Sequence, residues 1–144
     1  RAANAFLLRQ DAEEAFSTAV HLIVDLNDGS YRVTSAGHPP ALKWVAACDE
    51  WVVDNARGTA LGVVDHPAFD ASEGALEPGE ALMFYTDGVV ERRHSDIDAG
   101  IAWLRTAAEE DVGRRGFPGA ARRILARVNG GSDDRAILIL SREA

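Results

Sequence analysis

Phe16-Ser17-Thr18-Ala19-Val20-His21-Leu22-Ile23-Val24-Asp25-Leu26-Asn27-Asp28-Gly29-Ser30-Tyr31-Arg32-Val33-Thr34-Ser35 carries the pattern that decides the fold. Side chains of a strand alternate between its two faces, so Phe16, Thr18, Val20, Leu22, Val24 and Leu26 share one side of a long strand. Asn27-Asp28-Gly29 is a strong turn signal, and Tyr31, Val33 and Ser35 resume the alternation. Two alternating runs joined this way predict a β-hairpin. Gly37-His38-Pro39-Pro40 then breaks the strand. A second hairpin follows, with Leu42-Lys43-Trp44-Val45 and Trp51-Val52-Val53 as its arms. Short extended pieces lie around Leu61 and Phe69, and Glu77-Pro78-Gly79-Glu80 turns into a strand over 81–85. Upstream of the first hairpin, residues 2–13 predict a helix with Ala3, Phe6 and Leu7 on one face.

Two further helices are predicted downstream. Ser95 is the expected cap of the first, with Asp98 three residues on. Ile97, Ile101, Leu104 and Ala108 form its apolar stripe. Pro118 opens the second helix and Gly130 closes it, with Ala121, Leu125 and Val128 facing inward. The last strand covers 136–140, after Ser132-Asp133-Asp134. Strands, then helices, then a strand describe an α+β fold with antiparallel pairing.

Composition narrows the partners. The chain has 144 residues, 47% of them hydrophobic, which suits one globular domain. A net charge of −8 argues against a nucleic-acid surface and against docking on an anionic membrane. An acidic protein can still handle phosphate when metal ions supply the positive charge. Cys48 is the only cysteine, so no intramolecular disulfide forms and a cytoplasmic location is the expectation. The apolar runs are far shorter than the ~18 residues of a membrane span. The chain opens on Arg1 rather than methionine, and reads as an excerpt of something longer.

Several chemistries are excluded by motif. There is no Gly-rich phosphate loop, dinucleotide fingerprint or nucleophile-elbow serine. His21, His38, His66 and His94 are scattered and lack zinc-ligand spacing. Two candidates survive. Tyr85-Thr86-Asp87-Gly88 puts a carboxylate at the end of a buried strand, and Ser132-Asp133-Asp134 puts two more where the last strand begins. Hard divalent cations take oxygen ligands, and a rigid strand end is a good place to hold one. The competing interpretation is plain turns. Asp87-Gly88 between Tyr85-Thr86 and Val89-Val90 also suits a type I′ hairpin, and Ser-Asp-Asp is a common polar turn. The other candidate is His38, as a general acid or base or as a loop residue that satisfies local backbone groups.

Taken in order, the motifs resemble a known family. They are Phe16-Ser17-Thr18-Ala19, Ser35-Ala36-Gly37-His38-Pro39-Pro40, Leu61-Gly62, Leu76-Glu77-Pro78-Gly79-Glu80, Tyr85-Thr86-Asp87-Gly88-Val89-Val90-Glu91 and Asp133-Asp134-Arg135-Ala136. The set is similar to the PPM-type (protein phosphatase 2C-like) phosphatases, in the bacterial branch of stage II sporulation protein E and the sigma-factor regulatory phosphatases. The resemblance implies an antiparallel β-sandwich flanked by helices, with residues 1–144 as the C-terminal portion of one such domain. It implies a metal-dependent serine/threonine phosphatase that uses two Mn²⁺ or Mg²⁺ ions. Asp87 and Asp133 match metal ligands, Asp134 is the less favoured of its pair, and Glu91 matches a recurrent acidic position without an assigned role. His38 matches a hallmark of the branch but not its proposed acid. The family's bridging aspartate, in an Asp-x-x-Gly-x-Gly-type motif, would precede residue 1, so this polypeptide alone is expected to be inactive or nearly so. The implied partner is a phosphorylated protein such as an anti-sigma-factor antagonist. A stand-alone fragment would expose a sheet edge, with a homodimer as one expected result. Residues 96–110 are a candidate regulatory element, in which changes at Ile101 or Leu104 would alter activation more than stability. The alternative is a phosphatase-like binding module that has lost catalysis.

Overall fold

The computed structural model describes residues 1–9, 16–91, 96–128 and 134–143. These fall into two compact units, one formed by residues 1–40 and 55–75, the other by 41–54 and 76–144.

The first unit holds helix α1 (Ala2–Leu7) and a three-stranded antiparallel sheet of β1 (Ala19–Val24), β2 (Ser30–Ala36) and β5 (Ala71–Ala75), in the order β1-β2-β5. The predicted hairpin is present, with Val20 opposite Ser35, Leu22 opposite Val33 and Val24 opposite Tyr31. Its turn is closed by the Asp25 N–H donating to the Ser30 carbonyl and the Gly29 N–H to the Asp25 carbonyl, both at 2.8 Å. Tyr31, Val33 and Ser35 are buried, as the alternation requires. β1 is shorter than the pattern suggested: Phe16 and Leu26 lie outside it and are exposed. Leu61 and Phe69 sit in isolated bridges, to Ser17 and Gly58. In α1 the buried residue is Asn4, while Ala3 and Phe6 are exposed. The Asn4 amide explains this inversion. It donates to the Val64 carbonyl at 3.0 Å and accepts from the Gly62 N–H at 2.8 Å, so the helix is held by polar bonds rather than an apolar stripe. The part of that predicted helix beyond residue 9 lies outside the described residues.

The second unit holds β3 (Leu42–Val45), β4 (Glu50–Val53), β6 (Ala81–Tyr85) and β7 (Ile137–Ser141), antiparallel in the order β4-β3-β6-β7. Three helices accompany them: α2 (Asp87–Val90), α3 (Ile97–Arg115) and α4 (Ala120–Leu125). All five residues of β6 are buried, which accounts for its unbroken apolar run. The core gathers Leu42, Trp44, Trp51, Met83 and Tyr85 from the sheet with Val89, Val90, Leu104, Ala108 and Ile124 from the helices. Trp44, Trp51 and Phe117 pack edge to face, with ring centroids 5.6 to 6.3 Å apart. At the start of β6, Glu80 is buried and meets the only lysine, Lys43, at 2.8 Å. Burial pushes its carboxyl pKa up, but the hydrogen bond from Lys43 and backbone N–H bonds outweigh that and hold it below the usual value.

Three helix expectations are corrected. The residue that caps α3 is Asp96, whose carboxylate accepts from the Asp98 N–H; Ser95 lies outside the described residues. Ile101, Leu104 and Ala108 are buried as predicted, whereas Ile97, in the first turn, is exposed. The inward residues of α4 are Ala120 and Ile124, with Leu125 and Val128 packed beside them. Gly119 adopts φ +74 as the N-cap, so the helix starts at Ala120, two residues later than Pro118 suggested, which rotates its buried face. Gly130 falls outside the described residues.

α3 also closes one border of this sheet. β4 is an outer strand, and the outward N–H of Trp51 donates to Glu109 Oε1 at 3.1 Å. The Trp51 carbonyl accepts from Arg105 Nε at 2.7 Å. Residues 105 and 109 lie one turn apart on the same helix face, so one face satisfies both backbone groups.

Candidate metal centre

Asp87 stands immediately beyond the buried end of β6, with only Thr86 between. Thr86 is extended, at φ −77 and ψ 156, and the chain then turns helical for residues 87–90. The Val89 N–H donates to the Thr86 carbonyl at 3.0 Å and the Glu91 N–H to the Asp87 carbonyl at 2.8 Å. This replaces the hairpin interpretation of Asp87-Gly88. Val89 and Val90 are both fully buried, and adjacent residues of a two-faced strand could not both point into one core. Asp87 itself is exposed, and its Oδ1 accepts from the Gly88 N–H at 2.9 Å, which orients the carboxylate.

Thr86 ties this point to the start of the last strand. Its Oγ1 donates to the Asp134 carbonyl and accepts from the Ala136 N–H, each at 2.9 Å. Its own N–H donates to the Ala136 carbonyl at 3.1 Å, which extends the β6–β7 ladder by one step. Asp87 and Asp134 are therefore brought to one end of one sheet. Asp133 lies outside the described residues; its neighbour Asp134 is exposed there. Thr86 had no role in the sequence reading. The signal was available: a threonine at a strand end can both donate and accept, and so can join two chain segments.

The fit to a divalent cation is partial. Carboxylate oxygen is the right donor for Mg²⁺ or Mn²⁺, which take about six ligands. Among the described residues no three His, Cys, Asp or Glu side chains gather into one cluster. The exposed Asp87 carboxylate is a single oxygen donor group, and a tight site needs others beyond the described residues. Glu91 is exposed at the end of α2. His38 belongs to the first unit, where its carbonyl accepts from Ser35 Oγ at 3.1 Å. The preceding Gly37 has φ +66, and a Cβ there would lie 2.7 Å from the Cβ of Ala60. The Gly-His-Pro-Pro segment is thus closely packed at Gly37.

One buried polar atom borders the site. Among the described residues the Tyr85 hydroxyl has no hydrogen-bond partner, and burial raises its pKa well above that of a free phenol. A buried hydroxyl without a partner costs stability, so Tyr85→Phe is expected to be neutral or to stabilise by up to ~1 kcal/mol. Urea denaturation checks this, and a loss above ~1 kcal/mol would show that the hydroxyl has a partner.

Among the described residues no helix is long and apolar enough to cross a membrane. The chain is similar to Protein IcfG of Synechocystis sp., at 27% identity over 96 residues, 65% of this chain and 15% of the relative. It resembles the crystal structure of the RsbU and RsbW domains of Rv1364c from Mycobacterium tuberculosis, with a TM-score of 0.75 and 27% identity over 88% of this chain and 36% of that one. It shares its fold with the phosphatase domain of the cell fate determinant SpoIIE from Bacillus subtilis, with a TM-score of 0.71 and 17% identity over 98% of this chain and 62% of that one. The chain therefore spans 15% of the curated relative and 36% to 62% of these solved chains. The α+β antiparallel architecture agrees with the expectation from sequence. The family model for stage II sporulation protein E matches residues 1–143, and the chain belongs to that family.

Proposed function

We propose that the full-length protein is a metal-dependent serine/threonine protein phosphatase, with Asp87 and Asp133 among its metal ligands. The observation that carries this reading is the exposed Asp87 carboxylate at the buried end of β6, in a chain matched to the family over residues 1–143. The Gly88 N–H orients that carboxylate, and Thr86 holds it beside the segment containing Asp134. When bound, Mn²⁺ or Mg²⁺ ions supply positive charge that acidifies water and neutralises phosphoryl oxygens. The chain's own part is to hold carboxylate oxygens where the buried strand β6 ends. The proposed substrate is phosphoserine or phosphothreonine on a regulatory protein, such as an anti-sigma-factor antagonist.

The test is phosphate release from a phosphoserine-bearing protein by the full-length protein, with manganese and with a chelator. Release that requires manganese supports the proposal. No release, together with no manganese binding by calorimetry, would replace it with a binding module that lacks catalysis.

A further inference from the structure

We infer that Gly100 is a positioning residue for Asp87: its missing side chain lets α3 seat directly on the Val90 carbonyl, and that seat fixes the single helical turn that begins at Asp87. This deepens the phosphatase proposal and rests on Asp87 being a metal ligand.

The seat is a contact between two backbones. A Cβ built at Gly100 would overlap the Val90 carbonyl oxygen, and would lie 2.7 Å from its carbonyl carbon and 3.0 Å from its Cα. Backbone atoms cannot rotate aside as a side-chain tip can, so one of the two helices has to shift. α2 is one turn of four residues, too short to stand without tertiary support. α3 has 19 residues and is anchored along its length. Arg105 and Glu109 bond the Trp51 backbone, and Asp111 meets Arg123 at 2.8 Å. The softer partner is α2, and the displacement falls on the residues that carry Asp87.

Gly113 supplies the control. It lies in the same helix, with nothing within 4 Å of a Cβ built there. Helix propensity favours alanine over glycine at both positions. An opposite outcome at Gly100 therefore isolates the seat from propensity.

The experiment compares Gly100→Ala, Val90→Ala, Gly113→Ala and Asp87→Asn in the full-length protein. It measures amide hydrogen exchange without metal and manganese affinity by calorimetry. Val90→Ala leaves the carbonyl in place and loosens α2 from its other side, by removing side-chain atoms buried in the core, so the inference stays testable if Gly100→Ala folds poorly. The expected result is exchange about 10-fold or more faster at Val89 and Glu91, whose N–H groups close the α2 turn, in both seat variants. Exchange in β6 and β7 stays as in the native protein. Manganese affinity falls about 10-fold, as when a group that orients a metal ligand is disturbed. Gly113→Ala leaves both readouts unchanged. Native exchange and affinity in both seat variants would overturn the inference, and so would faster exchange spread evenly over the whole unit. Asp87→Asn separates the two readings: native manganese affinity there overturns the ligand assignment, while exchange at Val89 and Glu91 still reports on the seat.

Discussion

Asp87→Asn is expected to lower manganese-dependent phosphate release by the full-length protein about 100-fold or more. The substitution keeps the shape of the side chain and an oxygen able to accept from the Gly88 N–H, so the turn into α2 should persist. What it removes is the negative charge, and charge is what a hard cation needs from an oxygen ligand. Because Asp87 is exposed, the change leaves no buried group unpaired, and thermal stability should stay within about 0.5 kcal/mol of native. Steady-state phosphate release and a thermal melt on the same preparation are sufficient. A native rate in the asparagine variant would remove Asp87 from the metal site.

The second large effect is on stability. Leu104 has 0% exposure and sits in the cluster that joins Trp51, Met83, Val89 and Ile124. Leu104→Ala removes buried atoms and leaves a cavity that α3 cannot close without moving its other contacts. The expected cost is ~2–5 kcal/mol, read by urea unfolding. A cost below ~1 kcal/mol would mean that the site collapses around the smaller side chain. This bears on residues 96–110 as a regulatory element. Ile101 and Leu104 belong to the same core as Val89 and Val90, so truncating either should reduce stability together with any effect on activation. Gly100 touches α2 without filling the core, which makes it the more selective probe.

The sequence was most readable where local signals agreed with tertiary demands. The hairpin of β1 and β2 combined strict alternation with an Asn-Asp-Gly turn, and the buried positions of β2 came out as read. β6 was legible from its apolar run and the Pro-Gly turn before it. β5 was missed because Ala71-Ser72-Glu73-Gly74-Ala75 has no β-branched or aromatic residue. Pairing with β2 makes it a strand, and Gly74 leaves room for the ring of Tyr31, whose Cζ a Cβ there would approach to 2.8 Å. Asp87-Gly88 misled because the dipeptide suits a tight turn on local grounds. Burial of both valines after it, a tertiary fact, selects a helical turn. The family motif pointed to Asp87 and Asp133, and what no motif revealed was the support around Asp87: the threonine clamp to Asp134 and the bare backbone of Gly100 against Val90.

The closure of β4 by Arg105 and Glu109 limits how this sheet can polymerise. A sheet with two open borders can add copies at both and grow into a fibre. Here one border is bonded to a helix of the same chain, and among the described residues the opposite border is β7, where Leu138 is 63% exposed. Two copies that met through β7 would each turn a stoppered border outward. Strand addition to this sheet is therefore expected at β7 rather than at Trp51 of β4.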